Sequence, residues 1–582
     1  MDVIRAITGY LTRLLTSVGG MKVLLLDKST TPIVSLISTH STLLSHEVYL
    51  TDRLENKSRD RMKHLKCIAL IRPDEDSVAH LIQELRMPKY QSYFLAFTSP
   101  LSKNVLQALA DADSYHVVQE VQEFFADYHA LTPSLFSLGL SCPPSRLFQA
   151  DSTSSLSKWD AHALHSHCNG IAALLLSLKK KPVIRYERMS ALAKTLGEEL
   201  HFQMNTALPT LFEFRRTESA PLLLILDRRN DPVTPLLTQW TYQAMVHELL
   251  GITNGRVDLS GGSAANPGAV KGAKREENQE IVLTPSQDPF FSSNMYDNFG
   301  DLGASIKKYV LDYQSKTPNS SKIETVSDMK RFVEEYPEFR KLGGNVSKHV
   351  ALLGELSKRV EKENLLEVSE LEQSLASNES HAADLKNLNT LLASPQVHPS
   401  AKLRLAILYA LRYQRYASNR IDEMVRMLLS AGVEESKAAL VYAMLNIAGA
   451  EQRQDDLFSN ENFFSRGKSA LKGLKGVENV YTRHSPHLAE TVENLVRGRL
   501  REQSYPYVGN APPIGQQSIR PQEVIIFIVG GATYEEARSI ALLNSQGTSG
   551  PGLGTRFLLG GTTRLKAHLR ARLAQPAAAA TL

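Results

Sequence analysis

The sequence predicts an α/β fold, with doubly wound parallel-sheet domains and a largely helical insertion, and three observations carry that expectation. In the first third of the chain, short continuous Val/Ile/Leu runs alternate with amphipathic stretches, as strands buried between two helical layers do. A run of the same type, Leu222–Asp227, has counterparts near the other end at Glu523–Val529 and Phe557–Leu559. Between them the apolar spacing changes to three and four residues, the period of a helix.

Taken in order, Met1 to Gly20 mixes apolar residues with Arg and Thr and reads as a short amphipathic helix, without the apolar core and small-residue cleavage site of a secretion signal. Lys22–Asp27 (KVLLLD), Cys67–Arg72 (CIALIR) and Ser92–Thr98 (SYFLAFT) are the expected strands, with helical regions near Arg53–Lys66 and Asp76–Met87. Residues 1–136 then make a first α/β domain around an open parallel sheet. Lys158–Ser177 has helical spacing and stops at Lys179-Lys180-Lys181-Pro182, because proline cannot continue a helix. Residues 137–240 and 481–582 are expected to combine into a second α/β domain that pairs the two distant apolar runs.

Residues 241–480 form the inserted, mostly helical third domain. Gly255 to Asn278 is rich in Gly, Ala and Ser and reads as a surface loop. Ser321-Lys-Ile-Glu324 has the form of a capping box, followed by Val326, Met329, Phe332, Val333 and Tyr336 on one helical face. Pro337 interrupts this pattern. An interior proline removes a hydrogen bond at a cost of ~3 kcal/mol, so a bend or a hairpin that switches between turned and extended states is expected within 321–378. After Gly343-Gly344 a second helix carries Val346, Val350, Leu353 and Val360 along a narrow seam. The ordinary reading of such a stripe is packing on its own domain.

Composition excludes several classes. Hydrophobic residues at 42% and charged residues at 22% are those of a globular chain. The 66 Lys+Arg against 61 Asp+Glu leave a net charge of +5, too little over this length to imply a nucleic-acid partner. Cys67, Cys142 and Cys168 offer neither a disulfide framework nor a CxxC-type zinc site, which suits the cytoplasm. The apolar runs, such as Pro221–Leu226 and Val524–Gly531, fall far short of the ~20 residues of a membrane span, so membrane contact is expected to be peripheral.

No local motif supplies catalysis. Asp227-Arg228-Arg229-Asn230-Asp231-Pro232 places two acids after a strand, but the intervening arginines neutralise them, and ion pairing with a carboxylate at the next helix start is the expected use. Gly530-Gly531-Ala-Thr-Tyr-Glu-Glu lacks the Walker lysine and sets Glu535 and Glu536 where a phosphate would sit. Gly19-Gly20 precedes a strand rather than following one, so no dinucleotide fingerprint exists there. His162, His165, His167 and Cys168 have poor ligand spacing without a carboxylate and read as surface or packing residues. No catalytic residue, metal or cofactor is expected.

The stretch from Leu224 to Leu250, LILDRRNDPVTPLLTQWTYQAMVHELL, resembles the signature of the SM (Sec/Munc) family of SNARE-binding membrane-fusion regulators. Lys181-Pro-Val-Ile-Arg185-Tyr186, Val23-Leu-Leu-Leu-Asp27-Lys28 and Val529-Gly-Gly-Ala-Thr-Tyr-Glu-Glu-Ala537 support the resemblance along nearly the whole chain. Leu26-Asp-Lys-Ser-Thr-Thr-Pro32, His46-Glu-Val-Tyr49 and Glu84-Leu-Arg-Met-Pro-Lys-Tyr90 point to its Golgi and endosomal branch.

The resemblance implies a three-domain arch around a central cavity and no enzymatic activity. It implies a syntaxin-type (Qa) SNARE as partner, held by its N-terminal peptide in an apolar pocket of the first domain and by its helical bundle in the cavity. Leu106, Leu109, Val118 and Val121 match the pocket, and Asp52, Arg53 and Glu55 the cavity wall. Pro337, His349 and Val350 align with the hairpin that receives a vesicle (R) SNARE, and the assembled SNARE complex is an expected partner too. Asp227, Arg228, Asp231 and Pro232 are structural members of the signature. The implied function is templating of SNARE assembly for vesicle fusion, at the cytoplasmic face of Golgi and endosomal membranes, with membrane association through the SNAREs. A nucleotide or sugar-phosphate enzyme on a doubly wound fold and a passive tethering scaffold stay open beside it.

Overall fold

The computed structural model describes residues 1–140, 158–215, 219–259, 280–316, 326–377, 380–458, 483–509, 520–546 and 554–563. The chain divides into two units: residues 1–230 with the described residues from 488 onward, and residues 231–487.

The first unit holds two sheets, one wholly parallel and one parallel except for an antiparallel pair at one side. In the first, β1 (Lys22–Leu26), β2 (Val48–Arg53), β3 (Met62–Ile71), β4 (Tyr90–Phe97) and β5 (Val118–Glu123) are ordered β2-β1-β3-β4-β5, every pair parallel. Val23, Leu25, Cys67, Tyr93 and Phe97 are buried in its core. The amphipathic N-terminal stretch is a helix, Val3–Ser17, started by Asp2 accepting from the Arg5 N–H.

The helix expected near Arg53–Lys66 is absent. The Arg59 guanidinium, buried against Glu84 at 2.8 Å, also donates to the Leu54 carbonyl, fixing a turn that returns the chain to the start of β3. A buried ion pair with a partner far along the sequence outweighs local helical spacing.

The second sheet starts at β6 (His129–Thr132) and β7 (Leu135–Ser137), continues through β8 (Val183–Tyr186) and β9 (Leu222–Asp227), and is completed from the far end of the chain. In the second unit, β10 (Arg256–Asp258) and β11 (Glu280–Val282) pair as a separate antiparallel ribbon. β12 (Glu523–Val529) and β13 (Arg556–Gly561) then give the order β6-β7-β13-β12-β9-β8. β9 pairs in parallel with β12 from Leu222↔Val524 to Asp227↔Val529, joining the two apolar runs that the insertion separates. The sheet begins upstream of residue 137, because Ala126, Tyr128 and Ala130 already lie in its core with Phe136 and Phe527. β13 requires glycine where it meets β7: a Cβ on Gly560 would come within 2.0 Å of the Phe136 ring.

The second unit is mainly helical, and Val326–Lys362 is one continuous helix of 37 residues. Pro337 and Gly343-Gly344 lie inside it, so the expected interruption and second start are not found. Burial of Val346, Leu352 and Leu356 anchors the later half of this helix, and packing of that kind offsets the one hydrogen bond that proline omits. The capping box at 321–324, residues 260–279 of the Gly-rich loop, the side chains of the Val326–Tyr336 stripe and the Ala577–Ala580 tail lie outside the described residues.

Candidate functional site

The helix Lys103–Ala112 starts at Ser102, whose hydroxyl accepts from the Val105 N–H at 3.3 Å. Its spacing turns Val105, Leu109 and Ala112 onto the sheet, and Leu109 is only 3% exposed. Leu109 is therefore core and not a pocket wall. Leu106, rotated off that stripe, is 47% exposed. The next element is β5, an edge strand whose start is pinned by the Asp113 carboxylate accepting from the Val117 and Val118 N–H groups. Glu123 at its other end accepts from the Leu101 N–H. Val118 packs partly against the core, and Val121 is 41% exposed. Two of the four expected pocket residues, Leu106 and Val121, thus present apolar surface to solvent on consecutive elements.

Asp52, Arg53 and Glu55 sit at the end of β2 and in the turn after it. The Asp52 carboxylate accepts from the Arg53 N–H and the Asn56 amide, Glu55 accepts from the Lys28 N–H, and Arg53 is exposed.

On the long helix, His349 and Val350 part company. Val350 is 47% exposed, whereas His349 is fully buried. Tyr242 donates to His349 Nδ1 at 2.8 Å, and Nε2 faces Asp288 Oδ2 at 3.0 Å. Lys348 Nζ reaches the same oxygen at 2.7 Å. Burial raises the Asp288 carboxyl, but hydrogen bonds from His349, Lys348 and the Phe291 N–H outweigh it and leave it below its ordinary value. His349 is thus an anchor of the helix and not a contact residue. No local spacing signals this clasp, because Asp288 and Tyr242 lie far from His349 in the chain.

The signature residues are structural. Arg228 Nη2 binds both oxygens of Glu536 at 2.7 Å and the Gly531 carbonyl at 3.0 Å. Glu536 is buried and completes a capping box with Thr533. Asp227 accepts from the Ser190 hydroxyl at 2.6 Å and from Arg229 Nε and Nη2. Asp231 accepts from the Thr234 N–H and hydroxyl and from the His487 N–H, and Pro232 beside it is buried.

His167 is a packing residue: Nδ1 donates to the Ala163 carbonyl, Nε2 accepts from the Thr562 hydroxyl, and burial pushes its pKa down to about 4. Cys67 and Cys168 are buried thiols, pushed up by desolvation. Among the described residues no group of His, Cys, Asp and Glu is arranged to hold a metal ion.

The two-sheet fold with its helical insertion and ion-paired signature defines the class of protein: the chain belongs to the Sec1 family, whose model matches residues 22–569. Within that family the likeness is specific. Vacuolar protein sorting-associated protein 45 of Mus musculus is 48% identical over 566 residues, covering 97% of this chain and 94% of that protein. The protein of that name from Schizosaccharomyces pombe is 44% identical, covering 97% of each. Among solved structures, the SM protein Vps45 in complex with the Qa SNARE Tlg2 matches with a TM-score of 0.84 and 49% identity, covering 97% of this chain and 96% of that one. The Unc18–syntaxin 1 complex from Monosiga brevicollis, 19% identical over 97% of this chain and 98% of that one with a TM-score of 0.73, shares the fold.

Proposed function

We propose that this chain binds a syntaxin-type (Qa) SNARE and promotes SNARE complex assembly in vesicle transport between Golgi and endosomes. The observation that carries the reading is the 49% identity, over nearly the full length, to a protein solved with a Qa SNARE. The exposed Leu106 and Val121 give it a physical form: an N-terminal peptide with a leucine or aromatic anchor gains most of its affinity by covering such side chains. On this reading residues 1–136 grip the syntaxin, with Asp52, Arg53 and Glu55 as polar contacts for its helical bundle. The insertion, residues 241–480, offers Val350 and the long helix through Pro337 to a vesicle (R) SNARE. Holding two SNARE helices in register raises their effective concentration and lowers the cost of nucleating the bundle. The protein then works at the cytoplasmic face as a peripheral component; no helix among the described residues is long and apolar enough to cross a membrane.

Calorimetry against the cytosolic part of a Golgi/endosomal Qa SNARE tests this. Wild type binds, and Leu106→Arg, which places a charge in an apolar contact, weakens binding about tenfold or more. Absence of wild-type binding overturns the reading; equal binding by the variant moves the grip away from Leu106. A SNARE assembly rate unchanged by the protein would reduce it to a passive tether.

A further inference from the structure

We propose that the N-terminal edge of the first sheet is a docking surface for an anionic lipid membrane. All five strands of this sheet are parallel, so all begin on one edge. With strands ~4.8 Å apart, that edge is about 20 Å wide. It gathers the turns that lead into the strands and the last turn of Glu75–Arg86, which precedes β4.

Six cations lie on or beside these segments, Lys57, Arg61 and Lys89 in the turns, Arg86 at the helix end, and Lys63 and Lys66 in the first residues of β3, all exposed or half-buried. None of the six forms an ion pair with a carboxylate among the described residues. Two bind backbone instead, Lys66 Nζ at 2.8 Å from the Gly19 carbonyl and Lys89 Nζ at 3.1 and 2.7 Å from the Lys57 and Arg59 carbonyls. These bonds draw the lead-in segments of β1, β3 and β4 together and leave the positive charge unneutralised. The nearby acids are mostly engaged. Glu47 faces the buried Lys22 at 3.7 Å, Glu84 holds Arg59, and Asp113 accepts the Val117 and Val118 N–H groups. Asp60, Glu47 and Asp111 are the exposed acids along this edge, three against the six cations. Two arginines elsewhere in this unit are ion-paired, Arg72 with Asp127 and Arg228 with Glu536.

Apolar side chains share the edge. Met21, Met87 and Tyr115 are 56%, 66% and 65% exposed, each in the turn leading into β1, β4 or β5. Unneutralised cations spread across a flat edge with apolar tips between them fit a planar anionic surface, where charge attracts and apolar tips insert. A soluble acidic partner uses the cations alone. Leu106 lies in the first half of its helix, toward the opposite edge, so this surface is distinct from the proposed syntaxin grip and supplies a direct membrane contact beside it.

The test is sedimentation of the full chain with vesicles of roughly four parts phosphatidylcholine to one of phosphatidylserine, against phosphatidylcholine alone. Binding is expected to the mixed vesicles only, and to fall as salt is raised. Each basic residue near such a surface contributes about a fivefold factor, so R61E/K63E should weaken binding about 25-fold or more. K57E/R86E, at separate surface positions, should do the same, which guards against one variant misfolding. M87S/Y115S should weaken vesicle binding while leaving binding to a polyglutamate peptide unchanged. Absence of binding to the mixed vesicles, equal binding to both vesicle types, or full retention by both charge-reversal variants overturns the proposal. Vesicle binding indifferent to M87S/Y115S and displaced by polyglutamate overturns it too, and assigns the edge to an acidic protein partner.

Discussion

The strand ends of the two sheets and the outer rim of the first sheet are built from the same β–helix units, yet they treat their side chains in opposite ways. Doubly wound sheets commonly bind ligands in the crevice at the C-terminal strand ends. In the second sheet that place is closed by Arg228, Glu536 and Asp227, each bonded within the chain. In the first, Asp27 accepts from the Ser29, Thr30 and Arg72 N–H groups, and Arg72 pairs with Asp127. The rim instead leaves Leu106 and Val121 uncovered. The difference is one of saturation: these strand-end side chains are filled by bonds within the chain, while the flank keeps apolar side chains in solvent.

Four measurements break or sharpen that contrast. The largest effect is expected from Arg228→Ala, which strands the buried Glu536 carboxylate and should cost about 4 kcal/mol of stability in urea unfolding. A change below about 1 kcal/mol would mean that the closed crevice is not structural.

His167 gives a pH signature. Its folded pKa of about 4 lies below the ordinary 6.5, so the unfolded chain takes up the proton first. Its contribution is whole above about pH 6.5 and is lost as pH falls toward 4, amounting to about 3 kcal/mol. Urea midpoints against pH should show this slope in wild type and a shallower one in His167→Gln.

Leu109→Ala, opening a cavity beneath the rim, should cost about 2.5 kcal/mol without altering SNARE affinity in the folded protein. Leu106→Arg, one turn away on the exposed side, should change stability by no more than about 0.5 kcal/mol while weakening SNARE binding. If the two leucines exchanged these effects, the assignment of core and rim would be reversed.

The helix Lys103–Ala112 shows how far local pattern carries. Apolar spacing identifies the helix, but Leu106 and Leu109 look alike until the sheet beneath is in place, and only then does one become surface and the other core. His349 and Val350 repeat the lesson: adjacent residues in a stripe that pattern cannot divide, separated by Asp288 and Tyr242 reaching one of them from elsewhere in the fold. Arg53–Lys66 reads as a helix because the pairing of Arg59 with Glu84 is invisible to periodicity. At Pro337 the omitted hydrogen bond predicts a bend, but the helix runs through, because the consequence of a proline depends on how firmly the later half of the helix is anchored.

The sequence by itself determined the α/β class, the joining of Leu222–Asp227 to Glu523–Val529, the ion-paired use of Asp227-Arg228 and the family, because strand hydrophobicity, charge neutralisation and motif order are local properties of the chain. Only the tertiary structure decided which apolar residues face solvent, where the second sheet begins and that the long helix runs through its proline. Those outcomes depend on burial and on partners distant in sequence, and burial is a property of the whole fold.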